Sequence, residues 1–294
     1  MKKIDIHCHT SIHKLWGLHT AEAGLAALEK LTLEHDIVKT VLIATYFPFK
    51  GSGLKNAELL NRIRGHKQFL VFGSLDAMND LENGLKELAV LAKQKLIAGI
   101  KLYPGYQDFR ASDEKIFPVY GLARQYGLPV MFHTGELHHC CPKEKREKKE
   151  YRCGSFCRID RLGDLSRPRE MKIAARNFPE VKFILSHLGN PYFVELRELM
   201  AECPNVYTDI SGQFISGHPE EDTPEYKEKI NQELKKFLAA PEAENRIMFG
   251  TDFPIQSHAD SVALVESLGL GDDVKQKIYY DNARVLLNLQ EEKI

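Results

Sequence analysis

Residues 181–187 read VKFILSH, an apolar run that turns polar at its last two positions. Seven other segments have the same form: IDIHC (4–8), KTVLIATYF (39–47), FLVFGSL (69–75), LIAGIKLY (96–103), LPVMFH (128–133), NVYTDI (205–210) and RIMFGTD (246–252). Several are apolar almost throughout, as strands are when helices cover both faces of a parallel sheet. Amphipathic stretches lie between them, among them DLENGLKELAVLAKQK (80–95), IFPVYGLARQYG (116–127) and YFVELRELMAEC (192–203). Turns such as QYGLP, NFPEV and ECPNV mark the boundaries. Eight repeats of strand and helix in this length predict an α/β fold, a (β/α)₈ TIM barrel. A doubly wound open sheet would show a glycine-rich phosphate loop after an early strand, and the chain has none. The first strand opens the chain and the helix ending YYDNARVLLNL (279–289) almost closes it, so 1–294 reads as a single barrel domain.

Composition narrows the class. The chain has 294 residues, 43% hydrophobic and 28% charged, the balance of a soluble globular protein. A formal net charge of −1 gives no electrostatic footprint for nucleic acid or an anionic membrane. Neither a membrane-length apolar run nor a signal peptide is visible, which predicts a cytoplasmic protein with a small-molecule substrate.

In such a barrel the residues at the C-terminal ends of the strands line the active site. Here those ends carry His7 and His9 on strand 1, Lys101 on strand 4 and His133 on strand 5. His187 follows on strand 6, Asp209 on strand 7 and Asp252 on strand 8. A lone strand-end histidine is more often packing than ligand. Four of them beside aspartates on one barrel face suit a divalent transition metal such as zinc. On strand 1, alternation puts Asp5, His7 and His9 on one face and Ile4, Ile6 and Cys8 on the other. Asp5, one layer deeper, reads as a buried structural carboxylate. Asp209 reads as a group that orients a loop or hydrogen-bonds a ligand histidine. His13, His19, His35 and His66 fall in helices or loops and read as solvated.

The set IDIHCHT, GIKLYP, FHTGE, FILSHLGNP and FGTDFP resembles the amidohydrolase superfamily. It is most similar to the "amidohydrolase 2" branch, which includes aminocarboxymuconate-semialdehyde decarboxylase, resorcylate decarboxylases and certain lactonases. The resemblance implies that His7, His9, His133 and Asp252 are metal ligands, with Asp252 also a proton shuttle and His187 an acid/base. It implies one divalent metal, zinc first, with Mn²⁺ or Fe²⁺ as alternatives. Lys101 is ambiguous: binuclear relatives carboxylate a strand 4 lysine to bridge two metals, whereas a free ammonium holds a carboxylate or polarises a carbonyl. The expectation here is one metal, with Lys101 beside the substrate; the plainer alternative is a buried stem whose ammonium pairs with a carboxylate. TatD-type nucleases share the late T-D-x-P pattern but carry a glutamate on strand 4. The expected activity is metal-dependent hydrolysis of a small amide, lactone or ester. Non-hydrolytic decarboxylation or hydration of an unsaturated or aromatic acid on the same site is the alternative, and a non-enzymatic metal-binding barrel is the reading of a different class. Barrels of this branch often pair, so a homodimer is also expected.

The connection after strand 5, residues 134–167, is long for such a loop and starts at His133, which predicts a lid over the site. Cys140, Cys141, Cys153 and Cys157, with His138 and His139 alongside, suggest a second metal or structural cluster, against reduced thiols or a redox disulfide. The spacing is not that of a zinc ribbon. KEKREKKE reads as a solvated turn or helix. Arg158 and Arg161, with Arg167 beyond, are candidates to clamp an anionic substrate, or else pair with Asp160 and Asp164 on the surface.

Overall fold

Each apolar run becomes a strand, and the strands pair in chain order. In the computed structural model, which describes residues 1–11, 23–46, 53–139, 141, 143–151 and 157–290, these are β1 (Lys3–Cys8), β2 (Ile37–Ile43), β3 (Phe69–Gly73) and β4 (Gly99–Leu102). They continue as β5 (Val130–Phe132), β6 (Phe183–Leu185), β7 (Val206–Asp209) and β8 (Ile247–Met248). Every neighbour pair is parallel, in the order β1 to β8. Four backbone bonds bring β8 back onto β1: Ile6 N–H to Phe249 O (3.1 Å), Thr251 N–H (3.2 Å) and Asp252 N–H (2.7 Å) both to His7 O, and His9 N–H to Phe253 O (2.8 Å). The fold is the (β/α)₈ barrel expected from the alternation.

The helices are α1 (Leu25–Glu34), α2 (Asn56–Arg62), α3 (Leu81–Lys93), α4 (Phe117–Tyr126), α5 (Lys143–Glu147) and α6 (Arg158–Leu162). Then come α7 (Lys172–Asn177), α8 (Phe193–Glu202), α9 (Pro224–Leu238), α10 (His258–Glu266), α11 (Asp272–Gln276) and α12 (Asn282–Leu286). Local chemistry sets their ends. Thr223 caps α9 by accepting from Tyr226 N–H, with Pro224 at the first position, and Ser257 caps α10 by accepting from Asp260 N–H. Gly127 stops α4 in the left-handed conformation (φ 64°). Among the described residues no helix is long and apolar enough to cross a membrane.

Two apolar layers result. Between strands and helices lie Leu42, Val71, Ile100, Val130, Phe183 and Val206 with helix residues such as Leu88, Tyr120 and Leu234. Inside the barrel lie Ile4, Ile6, Val41, Phe72, Met131, Ile184 and Met248. This assignment corrects the reading of strand 1. A register irregularity between Asp5 and Cys8 interrupts the alternation. Ile4 and Ile6 therefore point into the barrel, while Asp5 and Cys8 both bring donor atoms near His258 of α10. Asp5 is a buried structural carboxylate as expected, but it does not share a face with His7.

Candidate metal centre

The polar strand ends converge at the C-terminal mouth. His7 Nε2 and His9 Nε2 lie 3.4 and 3.2 Å from the same oxygen of Asp252, Oδ1. His133 Nδ1 lies 3.3 Å from His187 Nε2, and the His187 ring lies 4.8 Å from that of His7, centroid to centroid. Two donor triads fall within 4.8 Å, His7–His9–Asp252 and His7–His187–Asp209. His133 reaches the set through His187. The mouth holds its geometry under strain: His187 (φ 64°) and Asp252 (φ 54°) both adopt left-handed backbone. Gly212 (φ 56°) closes over them, where a Cβ would sit 2.8 Å from Asp252 Oδ2 and 2.9 Å from His187 Nδ1. Only glycine permits that approach.

Hydrogen bonds around the rim fix the imidazole tautomers. His7 Nδ1–H donates to the Asp209 carboxylate (3.2 Å), leaving the Nε2 lone pair for the mouth. His133 Nε2–H donates to the Glu136 carbonyl (3.2 Å), leaving Nδ1 free. His187 Nδ1–H donates to the Ser211 carbonyl (3.0 Å), leaving Nε2 free. Asp209 therefore orients a mouth histidine, one of the two roles expected of it. It also accepts from His187 N–H (3.0 Å), Ser211 N–H (3.1 Å) and the Ser211 hydroxyl.

Charge follows burial. Burial lowers the His7 pKa to about 3, aided by the Lys101 charge and opposed by Asp209 and Asp252. Burial likewise holds His133 well below its ordinary value and lowers His187. Burial pushes Asp252 upward, but the attraction of His7, the hydrogen bond from His9 and the pull of His187 outweigh it and keep the carboxylate ionised. Neutral imidazoles with lone pairs turned inward around an ionised carboxylate form a donor set for a divalent cation. His133 Nδ1 and His187 Nε2 face each other as two acceptors, an arrangement that a cation between or beside them relieves.

Lys101 is fully buried near the C-terminal end of β4. Its Nζ donates to Ser186 Oγ (2.9 Å) and lies 5.4 Å from the Tyr103 ring centroid. Burial lowers its pKa to about 7 against the pull of Asp209 and Asp252. The ammonium is thus bonded to a hydroxyl. Ser186 and Thr251 sit inside the quoted motifs and Ser211 and Gly212 just past NVYTDI, but small hydroxyls and glycines carry no distinctive pattern. The Tyr106 ring, 4.8 Å from that of His133, belongs to no motif at all.

The strand 5 connection contributes differently. Cys140 and Cys153 lie outside the described residues, as do His13 and His19, and so does the side chain of Arg158. Cys141 and Cys157 are buried, and Cys157 groups with His139 and Asp160, whose side chains pair at 2.8 Å. Arg161 is exposed on α6, and Arg167 pairs with Glu195 and Asp164 (3.5 Å for the latter), the surface outcome. The charged run forms α5 and the turn after it, exposed as expected. His35 and His66 are not simply solvated. His35 stacks on His258 (5.9 Å) and His66 bonds Glu29 (2.6 Å), both half-buried.

A family model described as Amidohydrolase matches residues 47–289. The chain belongs to that family and is an enzyme of the amidohydrolase superfamily, whose members bind a divalent metal. The matched span starts beyond β1, so His7 and His9 lie outside it. Solved structures are similar over nearly the whole chain. A probable 2-pyrone-4,6-dicarboxylic acid hydrolase from Acinetobacter baumannii is 15% identical with a TM-score of 0.67, covering 98% of this chain and 100% of that one. A zinc-bound amidohydrolase from Burkholderia multivorans is 16% identical with a TM-score of 0.69, covering 99% and 100%. A 2,6-dihydroxybenzoate decarboxylase from Rhizobium is 16% identical with a TM-score of 0.65, covering 98% and 99%. At these identities the likeness establishes the fold. No curated protein matches by sequence.

Proposed function

We propose that this enzyme hydrolyses a small lactone, amide or ester with one divalent metal, zinc, held by His7, His9 and Asp252 and completed by His133. The observation that carries the reading is the outward commitment of imidazole N–H groups to Asp209, Glu136 and Ser211, which leaves lone pairs and the Asp252 carboxylate facing one point. When bound, the metal lowers the pKa of a water and polarises a carbonyl. Asp252, kept ionised, is the proton acceptor for that water. His187, neutral and with Nε2 free, receives the proton or passes it to the leaving group. Lys101, bonded to Ser186, is the positive charge that this reading assigns to a developing oxyanion or a substrate carboxylate.

Lys101 also supports a second reading. A cation bonded to a hydroxyl is suited to an acidic substrate, which favours non-hydrolytic decarboxylation of an aromatic or unsaturated acid as the second reading of the same site. Membership in an enzyme family disfavours the non-enzymatic barrel. The strand 5 connection acts as a lid in this reading, with Arg161 exposed on α6 within it. Metal analysis of the purified protein, then a screen of lactones and amides against aromatic and muconate-type acids with CO₂ release followed, tests the proposal. Turnover of a lactone or amide without CO₂ supports hydrolysis; CO₂ release without hydrolysis overturns it in favour of decarboxylation.

A further inference from the structure

β1 presents donor atoms on two sides. One side is the mouth. On the other, between barrel and helices, Asp5, Cys8 and His258 offer a carboxylate oxygen, a thiol sulfur and a ring nitrogen all within 4.8 Å of one another. All three side chains are essentially inaccessible, at 0, 0 and 1% exposure.

His258 is the anomaly. Among the described residues neither of its ring nitrogens has a hydrogen-bond partner. Its ring is flanked by His35 (5.9 Å) and Phe253 (5.0 Å), contacts that leave both nitrogens unsatisfied. Buried polar groups of this kind are rare because each forfeits its hydration. The nearest acceptor, Asp5 Oδ2, is 3.6 Å from His258 Nε2, too long for a hydrogen bond. That separation does fit two ligands of one ion. Metal bonds of about 2.0–2.2 Å at a tetrahedral angle put nitrogen and oxygen roughly 3.4 Å apart. Donor pairs at the mouth stand at 3.2 and 3.4 Å. Asp5 meanwhile accepts from His7 N–H (3.1 Å), Thr251 N–H (3.1 Å) and Thr251 Oγ1–H (2.7 Å). The Cys8 thiol donates to His9 O (3.6 Å), a bond the thiolate would give up.

We propose that Asp5, Cys8 and His258 bind a second, structural divalent ion of the zinc type, with a water as fourth ligand. It would pin α10 to β1 where β8 closes on β1, directly behind His7 and Asp252. The inference does not depend on which reaction the mouth performs. A carboxylate, a thiolate and an imidazole suit zinc or cobalt and disfavour magnesium or calcium.

Cobalt substitution of the full chain tests this. Among the described residues the mouth holds no cysteine, and a near-ultraviolet thiolate-to-cobalt charge-transfer band reports on a cysteine-bound ion alone. The strand 5 connection has its own cysteines, so a variant with Cys140→Ser, Cys141→Ser, Cys153→Ser and Cys157→Ser is measured beside the wild type. The expected result is a band in both, removed by Cys8→Ser, with total metal lowered by one equivalent per chain. His258→Gln should remove or shift the same band and serves where Cys8→Ser does not fold. Absence of the band in the wild type, or its loss in the four-cysteine variant while Cys8→Ser retains it, would overturn the proposal.

Discussion

The barrel mouth and the strand 5 connection contain the same residue types and use them in opposite ways. At the mouth, His7, His187 and Asp209 are buried, and the Nδ1 of each histidine is held by an acceptor from the strand 7 end. In the connection, His139 pairs with an Asp160 that is 60% exposed, and Arg167 pairs with Glu195 near the surface. Electrostatics in the first setting are strong and specific; in the second, solvent screens them. The location of a histidine–aspartate pair, rather than its presence, decides what it can do.

Four substitutions would break or sharpen that contrast, in descending order of effect. Asp252→Asn removes the carboxylate shared by His7 and His9. Turnover and bound metal should be lost while circular dichroism stays unchanged, and an active variant would refute its role. Asp209→Asn weakens the bond that sets the His7 tautomer. Metal affinity measured by chelator competition should fall roughly 10–100-fold, as for other residues that orient ligands. Unchanged affinity would show that His7 needs no such partner.

Lys101→Met probes charge burial by pH. Folding lowers the Lys101 pKa from 10.5 to about 7. Between those values the unfolded chain holds a proton that the folded chain does not, so wild-type stability rises with pH across that window. In metal-free protein, urea midpoints should show the Met variant ahead of wild type at neutral pH, with the gap closing as pH rises toward 10.5. A gap independent of pH would mean that the cost is steric. Last, Asp160→Ala, which breaks the exposed pair with His139, should leave stability within about 0.5 kcal/mol of wild type by thermal melts. A larger loss would mark the connection as structurally committed.

The strands, their order and the mouth residues were legible because one rule fixes all of them. An apolar parallel strand must end where helices stop covering it, so the first polar residues after each run face the mouth. His133, His187, Asp209 and Asp252 each follow from that rule. Asp5 did not, since the register irregularity before Cys8 leaves no compositional trace and reverses which side it faces. His258 was invisible for a related reason. It starts a helix in a segment without periodic signal, and only the closure of β8 on β1 brings it to Asp5. Pairings across long separations, such as Arg167 with Glu195, likewise depend on helix placement that no local pattern encodes.

The seam between β8 and β1 has a consequence for how the protein is made. Thr251 donates to Asp5 across a separation of 246 residues, and Asp252 N–H reaches the His7 carbonyl over nearly as many. Such contacts carry a large loop-closure cost, which must be met before the pairing contributes anything. During synthesis the first-strand histidines emerge early, but they wait for the last strand before their carboxylate arrives. A nascent or truncated chain lacking β8 and the turn after it would carry the four mouth imidazoles without the Asp252 carboxylate that His7 and His9 share.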